Sequence, residues 1–338
     1  YVKIQLIKYK NGNILIGGDQ GFSIFDGSKF INYNAFNGFH SSFINDIQVD
    51  GNNVWLASGY GNLIQFNGEK FNNYNEDDGL LNRGWISTIE IISSDDIWFG
   101  GVYGLWHFDG NKFKNFTKLD GLMYSLVSDI VVDKKGDLWI AANDRLNGMG
   151  GLVHYDKNKF TTIISPGDDD ALTSGANVVK QTNDGILWIG SGNGIYKYDP
   201  KRIRNITTTD GMFANTYIQD IHSTKDGIIW VANVGKGLIK IVDENIEKIY
   251  TKSDGLLSNN INNVEVDKDE NLWIGTANLG LSFFDGDTFI NYTQENSDLP
   301  TNFISDIALD QNGLVWFVSD MGLSNFDGKN VITYSDGL

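Results

Sequence analysis

Residues 254–292 read Asp254-Gly255-Leu256, a Ser/Asn run, an alternating stretch 261–267, a turn, and Leu272-Trp273-Ile274-Gly275. A loop, Gly280-Leu281-Ser282-Phe283-Phe284-Asp285-Gly286 and the run 289–292 complete the stretch. Four short apolar runs are thus separated by turn formers. The Leu-Trp-Ile-Gly run recurs along the chain. Its tryptophan column is Trp55, Trp98, Trp139, Trp188, Trp230, Trp273 and Trp316, with Leu15 in the first copy, at spacings of 40, 43, 41, 49, 42, 43 and 43 residues. Self-similarity at such a period marks a repeat array. The chain reads as eight copies of one unit, at approximately 1–36, 37–78, 79–120, 121–168, 169–210, 211–254, 255–298 and 299–338.

Within a unit, the first run (44–50, 127–133, 261–267, 304–310) alternates Ile and Val with polar residues and ends in an Asp/Asn/Gly/Lys turn. Alternation bounded by turn formers predicts a strand that forms a hairpin with the next run. Two residues after the Trp comes a small residue: Gly17, Ala57, Gly100, Ala141, Gly190, Ala232 or Gly275, with Val318 in the last copy. A small residue there lets a neighbouring sheet approach while the large ring fills the space beside it. The third run, as in 21–27 or 280–286, ends in Asp-Gly, which supports a tight turn. The fourth is an aromatic pair such as Phe30 and Tyr33, followed by Asp-Gly-Leu. No segment shows a 3.6-residue apolar period over a helical length, and 39 glycines fit a chain of tight turns without helix caps. Four antiparallel strands per unit predict a blade. The fold class is all-β, a single eight-bladed β-propeller; seven blades is the competing count, because the first unit lacks the Trp.

A formal charge of −17 and a pI near 4.5 argue against a nucleic-acid partner, which needs clustered Lys and Arg. They argue equally against an anionic membrane surface. The absence of Cys excludes a disulfide framework and thiolate chemistry. No apolar stretch approaches the roughly 20 residues of a membrane helix. No metal site or cofactor motif is present, since Gly-x-Gly occurrences are turns and the histidines lack ligand spacing. The chain starts at Tyr1 inside an alternating run, which reads as a mature or excised product.

The pattern Asp-Gly-Leu, Ser/Asn run, Asp-x-x-Gly-x-Leu-Trp-Ile-Gly, Gly-Leu, Phe-Asp-Gly resembles the two-component regulator propeller repeat over nearly the whole chain. That resemblance implies a periplasmic or extracellular bacterial location and a role like that of the sensor regions of hybrid histidine kinases. Many of those resemble receptors for glycan breakdown products. The chain departs from the sensor pattern in showing one ring and no following sandwich domain, membrane span or kinase.

Because fold residues repeat, function is sought where a copy departs from the consensus. The loops joining strand four to the next strand one, and strand two to strand three, emerge on one face and form the expected ligand site. Trp85 and Trp106 lie outside the tryptophan column. Arg83 beside Trp85, with Tyr103, Tyr60 and Tyr124 in comparable loops, suits a sugar, whose C–H faces stack on rings while its polar groups take the guanidinium. An insertion at 143–150 contributes Arg145; Phe213 and Tyr217 enrich the loop into unit six, and His40 is the one histidine in such a loop. His107 and His154 hold matching strand positions and read as structural. Asp46, Asp129, Asp220 and Asp306, with Asn263, recur at one inner-strand position. They read as backbone acceptors, with a cation as the alternative. The leading expectation is a non-catalytic propeller that senses an oligosaccharide. The alternatives are a polysaccharide lyase acting through His40, Tyr124, Arg83 and Arg145, and a protein–protein scaffold of a surface or secretion assembly.

Overall fold

Every unit folds as an antiparallel meander with its four strands paired in chain order. The computed structural model describes residues 5–8, 12–18, 21–41, 43–80, 84–144, 149–164, 175–192, 194–199, 202–206, 217–310 and 313–334. The eight blades span 5–33, 44–74, 86–116, 126–164, 176–205, 217–250, 261–292 and 306–334. The first strand of each blade contacts the first strand of the next, and that of blade 8 contacts that of blade 1. The ring therefore closes around an axis lined by first strands. It is an eight-bladed β-propeller, and no blade takes a strand from the other terminus.

A lone four-stranded sheet would leave two apolar faces wet, and stacking covers both. Eight apolar clusters fill the eight seams between blades. The closing seam packs Trp316, Val318 and Leu323 of blade 8 on Ile14, Ile16 and Phe25 of blade 1. The column tryptophans are all buried, and Leu15 in blade 1 is fully buried. Each buried large side chain contributes about 1.5–3 kcal/mol relative to exposure. The small residue after the Trp does what its size suggests. A Cβ on Gly100 would lie 2.2 Å from Cγ1 of Val127 in the next blade, and one on Gly190 would lie 2.6 Å from Cγ2 of Ile218.

The Asp-Gly-Leu motif is more than a turn. At 35–37, 76–78, 118–120 and 252–254 it closes single turns of 3-10 helix, which the reading without helix caps did not foresee. The side chain of Asn34, Asn75, Thr117 or Thr251 accepts an N–H inside the turn. The motif's own Asn37, Asp78, Asp120 or Asp254 accepts the N–H of that cap residue, completing a capping box. The glycine that follows sits at φ 90 to 101, the left-handed region. Phe39, Leu80, Leu122 and Leu256 then plug the seams. A single capped turn that ends in Asp-Gly or Asn-Gly and an apolar plug is too short to carry a helical period, so the periodicity test misses it.

Candidate functional site

The site is set by a bulge in the inner strands. In blades 2 to 7 the pairing of strand one with strand two skips one residue, namely Asn45, Ser87, Ser128, Asn177, Gln219 and Asn262. A bulge leaves the extra residue out of the ladder and breaks strict alternation. The skipped residues of blades 3 to 7 and the residues that follow them therefore both line the axial cavity, whose volume is about 810 Å³. Ser305 holds the matching place in blade 8. Two positions before the Asp column, an apolar residue closes the seam. The position before that holds Phe43, Trp85, Leu126, Gly175, Tyr217, Asn260 and Phe303. Tyr217 and Phe303 line the cavity itself.

The mouth lies on the face expected from the loops. The N–H of Val102, in a strand two-to-three loop, donates to the carbonyl of Trp85, and Gly59 donates likewise to Phe43. The aspartates below the mouth act across seams. Asp46 accepts the N–H of Ile89 at 2.7 Å, Asp129 that of Val179 at 2.9 Å, and Asp220 that of Val264 at 3.4 Å, each in the following blade. Each also accepts the N–H of its own next residue. Asp306 accepts from Nδ2 of Asn263 at 2.7 Å. These bonds bear out the reading of the column as backbone acceptors.

One ring further along the strands stand Gln48, Glu90, Lys180, His222 and Glu265. Enclosure by the barrel wall pushes the Glu90 carboxyl up to about 8, with Asp129 and Asp46 adding to the rise and Lys180 opposing it. Glu265 is pushed up to about 8 by the same enclosure, reinforced by Asp220 and Asp306. The Lys180 ammonium is held above its ordinary value chiefly by Asp129. Protein surrounds all three groups, yet each still reaches the solvent of the channel.

The residues singled out from sequence fall into five sets. Trp85 and Tyr103 come together, both about half exposed, beside a small cleft at Gly84 and Gly101; Tyr60, also exposed, adjoins Gly61 of that cleft. Tyr217 lies at the cavity mouth. His40 is exposed on the crossover into blade 2 and lines neither hollow. Tyr124 is buried at 5% exposure in the seam between blades 3 and 4, so it cannot present its ring to a ligand. Arg83, Arg145 and Phe213 lie outside the described residues. Trp106 is core, stacked at 9° on Phe99.

Two histidines are structural, as their register implied. His107 stacks on Trp98 and pairs with Asp96 at 2.8 Å; His154 stacks on Trp139 and pairs with Asp137 at 3.1 Å. Asp133, Asp137 and His154 bring potential ligand atoms within 4.8 Å of one another. Asp133 is already engaged by two backbone N–H groups and Nε1 of Trp139, so the cluster is accounted for as a hairpin clamp.

Residues 255–278 match the model of the two component regulator propeller family. The chain carries the two-component regulator propeller repeat. Solved structures that share its fold include the extracellular domain of BT4673 from B. thetaiotaomicron, a candidate hybrid two component system. It is 19% identical with a TM-score of 0.61, over 98% of this chain and 52% of that one. PorZ, a bacterial surface component of the type-IX secretion system of Porphyromonas gingivalis, is 17% identical with a TM-score of 0.62, over 96% and 52%. The computationally designed Ika8 protein is 13% identical with a TM-score of 0.69, over 96% of each chain. The regulator-propeller chain thus spans about half the length of the first two. At these identities the likeness shows the fold. No curated protein sequence matches the chain. Among the described residues no helix is long and apolar enough to cross a membrane.

Proposed function

We propose that this chain is an exported, non-catalytic sensing propeller that binds an oligosaccharide on the face formed by the strand four-to-one and two-to-three loops. The observation that carries this reading is the axial cavity of about 810 Å³, with aromatic rings at its mouth and amide, hydroxyl and carboxylate groups on its wall. A polar, ring-rimmed hollow on a rigid scaffold is the usual form of a small-ligand site. The ledge of Tyr60, Trp85 and Tyr103 on the same face gives a longer glycan a second stacking surface. The match of residues 255–278 to the two component regulator propeller model and the likeness to extracellular sensor domains support export and sensing.

The test is a thermal-shift screen of the purified chain against oligosaccharides, with Tyr217→Ala and Trp85→Ala as controls. A ligand at 100 times its dissociation constant stabilises by about 2.7 kcal/mol. A shift abolished by Tyr217→Ala upholds the reading; no shift with any glycan sinks it.

A second reading, a protein-docking scaffold, has its own support. Phe36 and Leu119 are 100% and 99% exposed on the single-turn helices of two crossovers. Exposed large apolar side chains at loop tips suit a protein partner. The lyase reading loses Tyr124 as a base, because its ring is in the core.

A further inference from the structure

We infer that the ligand of the axial cavity carries positive charge, so that among oligosaccharides the cavity selects those with free amino groups. This inference rests on the carbohydrate reading above and names the ligand class within it. It starts from a motif that recurs on the even blades. The strands opening blades 2, 6 and 8 read Phe43-Ile44-Asn45-Asp46, Tyr217-Ile218-Gln219-Asp220 and Phe303-Ile304-Ser305-Asp306. In blades 6 and 8 the first, third and fourth of these residues line the cavity together, so Tyr217 and Phe303 each share it with an amide or hydroxyl and a carboxylate. Blade 4 carries the same order with Leu126 in place of the ring.

An ammonium group is served by both layers. Ring faces attract cations through their quadrupole, and carboxylates accept charge-assisted hydrogen bonds from them. Tyr217, Phe303, Asp220 and Asp306 all line the cavity, so two such pairs from blades 6 and 8 face one volume. Asp220 takes two backbone N–H bonds, and a carboxylate offers about four acceptor positions. Among the described lining residues the one lysine, Lys180, is outnumbered by Asp46, Asp129, Asp220 and Asp306. The wall is therefore net negative in a chain of formal charge −17. A uronate would meet like charge there, whereas a protonated amine would be steered inward.

The experiment is calorimetric titration of the chain with a β-1,4-glucosamine tetrasaccharide, its fully N-acetylated counterpart and spermine, each at low and high salt. Acetylation removes the charge and leaves the sugar backbone in place. The inference expects the free-amine sugar to bind at least about tenfold tighter than the acetylated one, with Tyr217→Ala and Asp220→Asn each weakening it about tenfold or more. The exposed Tyr217 makes its variant informative even where Asp220→Asn lowers the melting temperature. Equal binding of the two tetrasaccharides overturns the charge inference and leaves the carbohydrate reading intact. Spermine binding as tightly as the amine sugar upholds the cation and overturns the carbohydrate. Failure of all three overturns both. Binding that salt abolishes but neither variant weakens is adsorption to the acidic surface, and it overturns the assignment to this cavity.

Discussion

Blades 2, 4, 6 and 8 differ from blades 3, 5 and 7 at one inner-strand position and at its partner across the hairpin. The even blades set Asp46, Asp129, Asp220 and Asp306 opposite Ala57, Ala141, Ala232 and Val318. The odd ones set Thr88, Val178 and Asn263 opposite Gly100, Gly190 and Gly275. Two kinds of seam therefore alternate around the ring. From an even blade to the next odd one, a carboxylate takes a backbone N–H across the gap, as Asp46, Asp129 and Asp220 do. From an odd blade to the next even one, bare glycine lets a branched side chain in: Ile44 on Gly17, Val127 on Gly100, Ile218 on Gly190, Ile304 on Gly275. The 42-residue repeat is thus nested in a repeat of two blades. A carboxylate taking a backbone N–H marks one seam type, and glycine-backed close packing marks the other.

The close-packed seam is the easier to break. Gly100→Val places branched carbon where even a Cβ would lie 2.2 Å from Val127, and overpacking of this kind costs about 1–3 kcal/mol, with valine at the upper end. Ala141→Gly at the matching place of an even blade adds no clash and costs only the strand-entropy difference, about 0.5–1 kcal/mol. Urea midpoints of the two variants measure the contrast. Equal losses would mean that glycine placement does not distinguish the seams.

At the bonded seam, Asp129→Ala strands the N–H groups of Ile130 and Val179 and removes the acceptor of the Thr88 hydroxyl. An unsatisfied buried donor costs about 1–3 kcal/mol, and we place the net loss near 2 kcal/mol because the channel readmits water. Thr88→Ala, which forfeits one bond at 3.5 Å, should cost less than about 1 kcal/mol. Amide exchange supplies the sharper readout: Val179 N–H should exchange faster in Asp129→Ala and stay protected in Thr88→Ala.

The repeat made most of this ring legible in the sequence. A tryptophan column at near-constant spacing fixes unit, strand number and blade count, and a recurring Asp in a recurring strand announces a structural acceptor. The cavity wall was not legible in the same way. Strict alternation assigns Ser87, Ser128, Asn177, Gln219 and Asn262 to the face opposite the Asp column, and the bulge makes them its neighbours on the axis. The clue was a column of amides and hydroxyls directly before the Asp column, where a strand buried on both faces should have been apolar. Tyr124 shows the converse error. An aromatic residue in a crossover reads as exposed, yet these crossovers end in seam plugs, and its ring packs with Leu122 beneath blade 4. The aromatic mouth was half visible: Tyr217 stood out by its enriched loop, while Phe303 read as an ordinary strand residue.

The ring of Glu90 and Glu265 crosses both seam types, and its effect on stability is read against pH. Both are odd-blade residues whose carboxyls stand at about 8 in the fold against an ordinary 4.5. A raised carboxyl favours the fold while it keeps its proton. That contribution is complete below about 4.5 and is lost as the pH climbs through about 8, because the folded chain binds more protons than the unfolded one in between. The displaced aspartates of the hairpin turns, such as Asp133, are lowered from 3.8 and act below this window. Stability should therefore decline from pH 5 to pH 8, and Glu90→Gln should flatten the decline. Glu90 is the cleaner probe, since Glu265 lies 3.7 Å from the His222 imidazole. Guanidinium midpoints across that range decide the matter. A decline that is as steep in Glu90→Gln would place the charge of the channel elsewhere. A flattened one would place the titration at Glu90, where enclosure by the barrel wall, with Asp129 and Asp46 adding to it, holds the proton.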